Sequence, residues 1–204
     1  MDRCVIIGGA DIGNYERIKQ YVKQDDFFIY CDSGLKHMEK LNAKPNLIVG
    51  DFDSHHNPNL PIETIVLPCE KDDTDTVFAV KTAISRGFAN FILIGVVGGR
   101  LDHTLGNISI LLMLNSLGKK AIMIDDFSET TIVSDKTEVT DECKFFSLLN
   151  ISGTAKGINI KDAKYNVENA EITCEYPYGI SNEPLAGKVA TITIKEGRML
   201  LVKS

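Results

Sequence analysis

The run Phe91 to Val97, FILIGVV, is a nearly unbroken apolar stretch of strand length, and a strand with no polar face belongs in a sheet covered on both sides. What precedes it has the rhythm such a sheet needs. Arg3 to Ile7 reads as a strand, Gly8-Gly9-Ala10 as a turn and Asn14 to Gln24 as a helix. Phe27 to Cys31 follows as a strand, Asp32-Ser33-Gly34 as a turn and Leu35 to Leu41 as a helix that ends before Pro45. Leu47 to Val49 and Ile65 to Leu67 read as further strands. Asp75 to Arg86 carries Val77, Ala79, Val80, Ala83 and Ile84 at helical spacing and stops at Gly87. After Phe91 to Val97 come a helix over Leu105 to Leu117 and a strand at Lys120 to Ile124. Strands alternating with helices imply a mainly parallel sheet, so the first part is predicted to be a Rossmann-like α/β domain.

Beyond Phe127 the rhythm changes. Thr130 to Val133, Lys144 to Leu149, Thr154 to Ile160, Ala170 to Thr173, Val189 to Ile194 and Met199 to Val202 all read as strands, with Ile151-Ser152-Gly153 and Glu196-Gly197 as turns. No helix pattern separates them, which predicts a smaller C-terminal β-sandwich. The boundary falls at Asp125-Asp126, giving domains 1–126 and 127–204.

The chain is acidic, with a formal charge of -6 and a pI near 5.2. That balance argues against a nucleic-acid partner, which calls for a basic face. An acidic protein that handles phosphates needs a cation as intermediary. The N-terminus lacks the length and flanks of a signal peptide, and the apolar runs fall well short of the roughly 20 residues that span a bilayer. The expectation is a soluble, cytoplasmic protein with no membrane partner. Five cysteines stand singly with no CxxC pair, so they read as reduced thiols, Cys4 and Cys31 as small core residues.

In an open parallel sheet ligands gather where strands end, and here those loops are unusually acidic. Leu47 to Val49 runs into Gly50-Asp51-Phe52-Asp53-Ser54. The loop before the Asp75 helix reads Glu70-Lys71-Asp72-Asp73-Thr74-Asp75, and Phe91 to Val97 runs into Gly98-Gly99-Arg100-Leu101-Asp102-His103. Asp51 and Asp53 lie two apart, so on an extended segment both carboxylates project to one side and suit a hard cation. Magnesium takes one or two protein carboxylates and leaves room for phosphate oxygens; Asp75, at a helix start, supplies a further ligand. Arg100 offers the planar fork that matches phosphate. One such loop alone reads as a local turn, since Asp and Gly are common there. Three of them after strands, with Lys71 and Arg100 interleaved, point to a metal and phosphate site.

Gly8-Gly9-Ala10 fits either a close backbone approach by a ligand or a simple tight turn, because it lacks both the dinucleotide fingerprint and the P-loop ending. His103 reads as a phosphate or ribose contact rather than a catalytic group. His55 and His56 read as solvated loop residues with no metal duty.

At these loops the chain resembles the thiamine pyrophosphokinase family. The resemblance rests on Gly50-Asp51-Phe52-Asp53-Ser54, Lys71-Asp72-Asp73-Thr74-Asp75 and Gly98-Gly99-Arg100-Leu101-Asp102-His103-Thr104. It extends to Gly8-Gly9-Ala10, Asp32-Ser33-Gly34 and Gly179-Ile180-Ser181-Asn182-Glu183, and so covers nearly the whole chain in order. It implies an N-terminal domain that holds ATP, a C-terminal sandwich that helps hold thiamine, and a homodimer with active sites between subunits. It implies magnesium on Asp51, Asp53 and Asp75, and ATP against Gly9, Asp32, Asp72, Thr74, Arg100 and His103. Asp102, Ser181 and Asn182 are implied near thiamine. With Asp75 and Arg100, Asp102 completes the catalytic set as the residue that accepts or orients the hydroxyl proton. The chain has no tryptophan; Tyr176 and Tyr178 are the candidates for the aromatic place beside thiamine. Two other readings stand beside this one: a diphosphokinase acting on another hydroxymethyl heterocycle such as a pterin, and a regulatory module that binds magnesium-ATP without chemistry.

Overall fold

The computed structural model describes residues 2–52, 60–70 and 72–204. Asp53, Ser54, His55, His56 and Lys71 therefore lie outside the described residues. The chain divides into two compact units, Met1–Asp126 and Phe127–Ser204.

In the first unit six strands, β1 (Arg3–Ile7), β2 (Phe27–Cys31), β3 (Leu47–Gly50), β4 (Glu63–Val66), β5 (Asn90–Ile94) and β6 (Lys120–Ile124), lie in the order β4-β3-β2-β1-β5-β6. Every pairing among them is parallel, with Val5 opposite both Phe28 and Ile92. β1 and β5 are buried along nearly their whole length, as the unbroken apolar run of β5 demands. Helices α1 (Tyr15–Lys19), α2 (Met38–Leu41), α3 (Asp75–Ser85) and α4 (Leu101–Ser116) join the strands, together with a 3-10 segment at Asp32–His37.

From β1 the chain winds outward through β2, β3 and β4, then returns to add β5 on the other side of β1. The strand order thus reverses between β1 and β5, and the loops leaving those two strands border a crevice. They meet without side chains between them. The Gly8 N–H donates to the Ile94 carbonyl at 2.8 Å and the Ala10 N–H to that of Gly95 at 2.8 Å. A Cβ at Gly8 would lie 2.6 Å from the Gly95 oxygen.

Several elements differ from their sequence-based outlines. The helix expected over Asn14 to Gln24 is confined to α1, capped by the Asn14 side chain, because Tyr21 and Val22 bond three residues back instead of four. The helix expected from Leu35 is a 3-10 turn that begins at Asp32 and passes into α2, which Asn42 ends in the left-handed region. α4 begins at Leu101 rather than Leu105, so Asp102 and His103 stand in its first turn. Among the described residues no helix is long and apolar enough to cross a membrane.

The second unit holds β7 (Glu129–Val133), β8 (Lys136–Thr140), β9 (Phe146–Leu149), β10 (Thr154–Lys161), β11 (Val167–Thr173), β12 (Val189–Thr193) and β13 (Met199–Lys203). The strands run in the orders β7-β13-β9 and β11-β10-β12-β8, antiparallel throughout. Val133, Leu148 and Met199 from one group pack with Val139, Ile158 and Ile192 from the other in a shared core. β8 escaped the sequence reading because Lys136, Glu138 and Thr140 face outward and Val139 is its one fully buried side chain.

Arg3, at the start of β1, forms a two-bonded ion pair with Asp26, both contacts at 2.6 Å, and Asp26 also accepts from the Lys23 N–H. The Asp26 carboxylate is buried, at the ends of the strands opposite the crevice. Replacing Asp26 with Ala leaves Arg3 facing a desolvated gap and is expected to destabilise the fold by about 3 kcal/mol. A urea midpoint checks this, with the activity of the folded fraction retained.

Candidate active site

The crevice of the first unit is a cleft of about 350 Å³, lined by Gly8 to Asp11, Ser33, Lys36, Thr76, Gly95 and the Gly98 to Arg100 turn, with His103 and Asn107 of α4. Its floor is tight. A Cβ at Gly9 would lie 1.8 Å from the Ser33 hydroxyl and one at Gly34 2.3 Å from the Ile7 carbonyl, so only glycine lets the 3-10 turn seat against the β1 loop.

Asp32, Asp51 and Asp75 converge beside it, each offering a carboxylate oxygen within 4.8 Å of the others and each partly buried. Three elements bring them there. Asp51 leaves the end of β3, Asp75 opens α3, and Asp32 opens the 3-10 turn with a φ of 36°. That backbone conformation is costly for a residue with a Cβ. Gly50 makes room for it: a Cβ there would lie 2.9 Å from that of Asp32. Two ionised carboxylates at such a separation would repel by roughly 3 kcal/mol at an effective dielectric near 20, a repulsion that a shared divalent cation offsets. The donor set fits a hard divalent cation, since octahedral oxygens around magnesium lie about 3 to 4 Å apart. Under the cluster the buried Cys31 thiol has its pKa raised, by desolvation first and by the nearby carboxylates.

The sequence placed Asp51, Asp53 and Asp75 on one metal. The structure brings Asp51 and Asp75 together and adds Asp32, which the family resemblance had placed with ATP; Asp53 falls outside the described residues. Asp32 was hidden because its approach depends on the pairing of β2 with β3, to which local sequence is blind.

Thr74 caps α3, its hydroxyl accepting from the Val77 N–H at 3.3 Å. Asp72 is exposed on the preceding loop, and Asp73 pairs with Lys81 at 2.6 Å. On the far side of the cleft the glycine turn is tied to α4. The Gly98 N–H donates to the Thr104 hydroxyl, and the Asn107 amide donates to the Val96 carbonyl at 2.8 Å. Arg100 pairs with Asp102 at 2.5 and 3.2 Å, both side chains exposed. The guanidinium holds the Asp102 carboxyl below the usual carboxylate range, with the His103 N–H adding to the effect. A carboxylate so placed is a weak base. His103 is exposed at the cleft rim.

Lys36, also on the cleft wall, was not singled out from sequence; it pairs with Asp11 at 2.7 Å. Asp126 was likewise missed. Its carboxylate accepts from the N–H groups of Gly13 and Asn14 at 2.7 and 2.9 Å, which anchors the start of α1.

The second unit has a separate pocket of about 270 Å³, walled by Leu148, Tyr165, Tyr178, Gly179, Ile180 and Asn182 among others. Tyr176 stacks on Tyr178 with centroids 6.3 Å apart. Asn182 is buried, its amide bonded to both backbone groups of Tyr165 at 3.0 and 2.8 Å. Ser181 is exposed at a φ of 56°, its N–H donating to the Ser147 hydroxyl.

The family model described as "Thiamin pyrophosphokinase, catalytic domain" matches residues 18–123, and that for the "vitamin B1 binding domain" of the same enzymes matches residues 129–199. The chain belongs to the thiamine pyrophosphokinase family. Within that family, the thiamine pyrophosphokinase of Bacillus subtilis is 24% identical over 208 residues, spanning 98% of this chain and 97% of that one. The crystal structure of the enzyme from Bacillus subtilis matches with a TM-score of 0.88 at 23% identity, covering 99% of this chain and 98% of that chain. That from Geobacillus thermodenitrificans gives 0.84 at 25% identity, covering 99% and 97%. The Candida albicans enzyme gives 0.76 at 14%, covering 98% and 88%. The family's two domains fall in order on the α/β unit and the β-sandwich.

The carboxylate cluster has a direct test. Magnesium is expected to raise the melting temperature of the wild-type chain. Asp51→Asn and Asp75→Asn are expected to lose most of that magnesium-dependent rise. Scanning calorimetry against magnesium concentration reads both effects.

Proposed function

We propose that this chain transfers a diphosphate group from ATP to the hydroxyl of thiamine, giving thiamine diphosphate and AMP. The observation that carries the reading is the match of both family domains in order, with the carboxylate cluster and the glycine-walled cleft inside the first. A pterin acceptor is not favoured, because the second unit matches a vitamin B1 binding domain. A regulatory module without chemistry is not favoured either, because the first matches a catalytic domain.

In this reaction the thiamine oxygen bonds to the β-phosphorus as the bond from that phosphorus to the α,β-bridging oxygen breaks. AMP leaves with the electron pair. Such transfers run through loose transition states, so positioning and charge neutralisation carry most of the acceleration. Asp32, Asp51 and Asp75 are the residues that would hold magnesium. Bound there, the ion supplies Lewis-acid neutralisation of phosphate oxygens. Gly9 and His103 line the nucleotide cleft, while Thr74 caps α3 and Asp72 stands on the loop ahead of it. Arg100 faces the phosphates by exchanging its Asp102 partner for phosphate oxygens, whose geometry suits the same fork. Asp102, held below the usual carboxylate range, serves to orient the hydroxyl more than to take its proton; that proton leaves late in a loose transition state.

Tyr178 and Tyr165 give the sandwich pocket aromatic walls suited to a flat, cationic heterocycle. Tyr178 is the aromatic residue assigned to thiamine, with Tyr176 stacked behind it. Asn182 acts on thiamine through the wall it holds, since its amide is occupied by Tyr165. Ser181, at the exposed edge of that wall, is the candidate for direct contact. The chain works as a homodimer with active sites between subunits. Leu101 and Leu105 on α4, 72% and 56% exposed, are apolar surface consistent with such a partner.

AMP formation from ATP is expected to require thiamine, and thiamine-independent AMP release or none at all would remove the assignment. Asp51→Asn and Asp75→Asn are expected to lower turnover by roughly a thousandfold with the fold intact. Tyr178→Ala is expected to raise the KM for thiamine about tenfold while that for ATP stays within about twofold. Initial rates with each substrate varied in turn separate these effects.

A further inference from the structure

His37 closes the 3-10 turn that Asp32 opens, and it is buried to 1% exposure. Both ring nitrogens are engaged: Nε2 lies 2.9 Å from the Ala10 carbonyl and Nδ1 lies 2.7 Å from the Tyr15 hydroxyl. A carbonyl only accepts, so Nε2 carries a proton, and in the neutral ring Nδ1 then accepts from the Tyr15 O–H. The neutral ring is therefore satisfied at both ends. Burial lowers its pKa first, and Lys36 and Lys40 add to that, against the Ala10 bond and the Asp11 charge. The titratable and charged groups around the ring are Tyr15 of α1, Asp11 of the β1 loop, Lys36 of the 3-10 turn and Lys40 of α2.

Ala10 belongs to the loop that walls the nucleotide cleft. That loop is tied on one side to Gly95, just past β5, through the Ala10 N–H, and on the other it meets the 3-10 turn at the Gly9–Ser33 contact. His37 adds a hydrogen bond from the same turn to the carbonyl of the same residue. A six-residue segment thus has a carboxylate of the acidic cluster at its start and a bolt on the nucleotide loop at its end.

We infer that His37, with its tautomer set by Tyr15, is a positioning residue that holds the Gly8-Gly9-Ala10 loop in register with the Asp32, Asp51 and Asp75 cluster for nucleotide binding. It touches no reacting atom, so its loss is felt in ATP affinity and not in thiamine affinity. The inference rests on the proposed assignment of the cleft to ATP.

The test measures the dissociation constant of a non-hydrolysable ATP analogue with magnesium by calorimetry, alongside steady-state kinetics. His37→Ala is expected to weaken the analogue about tenfold and to raise the KM for ATP by a similar factor. The KM for thiamine is expected to stay within about twofold. His37→Gln, whose amide can donate to Ala10, is expected to recover most of the loss, and Tyr15→Phe to give an intermediate weakening of about threefold. Nitrogen-15 spectra of the wild-type ring at neutral pH are expected to show a protonated Nε2 and a bare Nδ1. An unchanged analogue affinity in His37→Ala overturns the inference, as does an equal rise in both KM values. If His37→Ala does not fold, Tyr15→Phe and the ring spectra decide, and an unaltered affinity with the opposite tautomer is the overturning result. A wild-type chain that binds the analogue but makes no AMP with thiamine defeats the assigned reaction and leaves this inference standing.

Discussion

The close approach of β1 and β5 is the constraint on which the first unit depends. The two strands pair in parallel, yet the chain reaches one from the other only after laying down β2, β3 and β4. The Gly8 and Gly95 backbones meet at distances that admit no Cβ on either side. This seam creates the place where the strand order reverses, and with it a cleft floored by backbone groups. Under the proposed assignment of the cleft to ATP, a side chain there would fill the space a phosphate needs.

At the ends of β2 and β3 the chain concentrates carboxylates. Asp32, Asp51 and Asp75 come from three elements that local propensity alone has no reason to assemble. The strained backbone of Asp32, accommodated by Gly50, is a local cost borne at the candidate site. The cations near the cleft are restrained as well. Lys36 pairs with Asp11 and Arg100 with Asp102, so under the proposed assignment a phosphate would have to displace these partners.

The second unit works by different means. Its pocket is aromatic and aliphatic, and its polar member, Asn182, is fixed by backbone bonds to Tyr165. Affinity for a flat ring in such a pocket comes from burial and from the faces of Tyr165 and Tyr178, with shape set by the polypeptide around Asn182. The absence of tryptophan leaves tyrosine to supply that face.

Much of this was legible in the sequence, because periodicity and punctuation are local properties. The apolar run of β5, the helical spacing of Val77 to Ile84 in α3 and the turn residues after Phe127 carry the signals for a covered parallel sheet and a following β-structure. Asp51, Asp75 and Arg100 were visible because each stands in an acidic or glycine-rich loop directly after a strand or before a helix. β8 was lost because its outward polar residues resemble a loop, and the early start of α4 because Gly98-Gly99-Arg100 reads as a turn that continues. What tertiary structure alone decided is which distant groups share a space: Asp32 with Asp51 and Asp75, His37 with Ala10, Asp126 with Gly13. Those meetings follow from strand pairing and close packing between segments far apart in the chain, and no window of neighbouring residues contains that information.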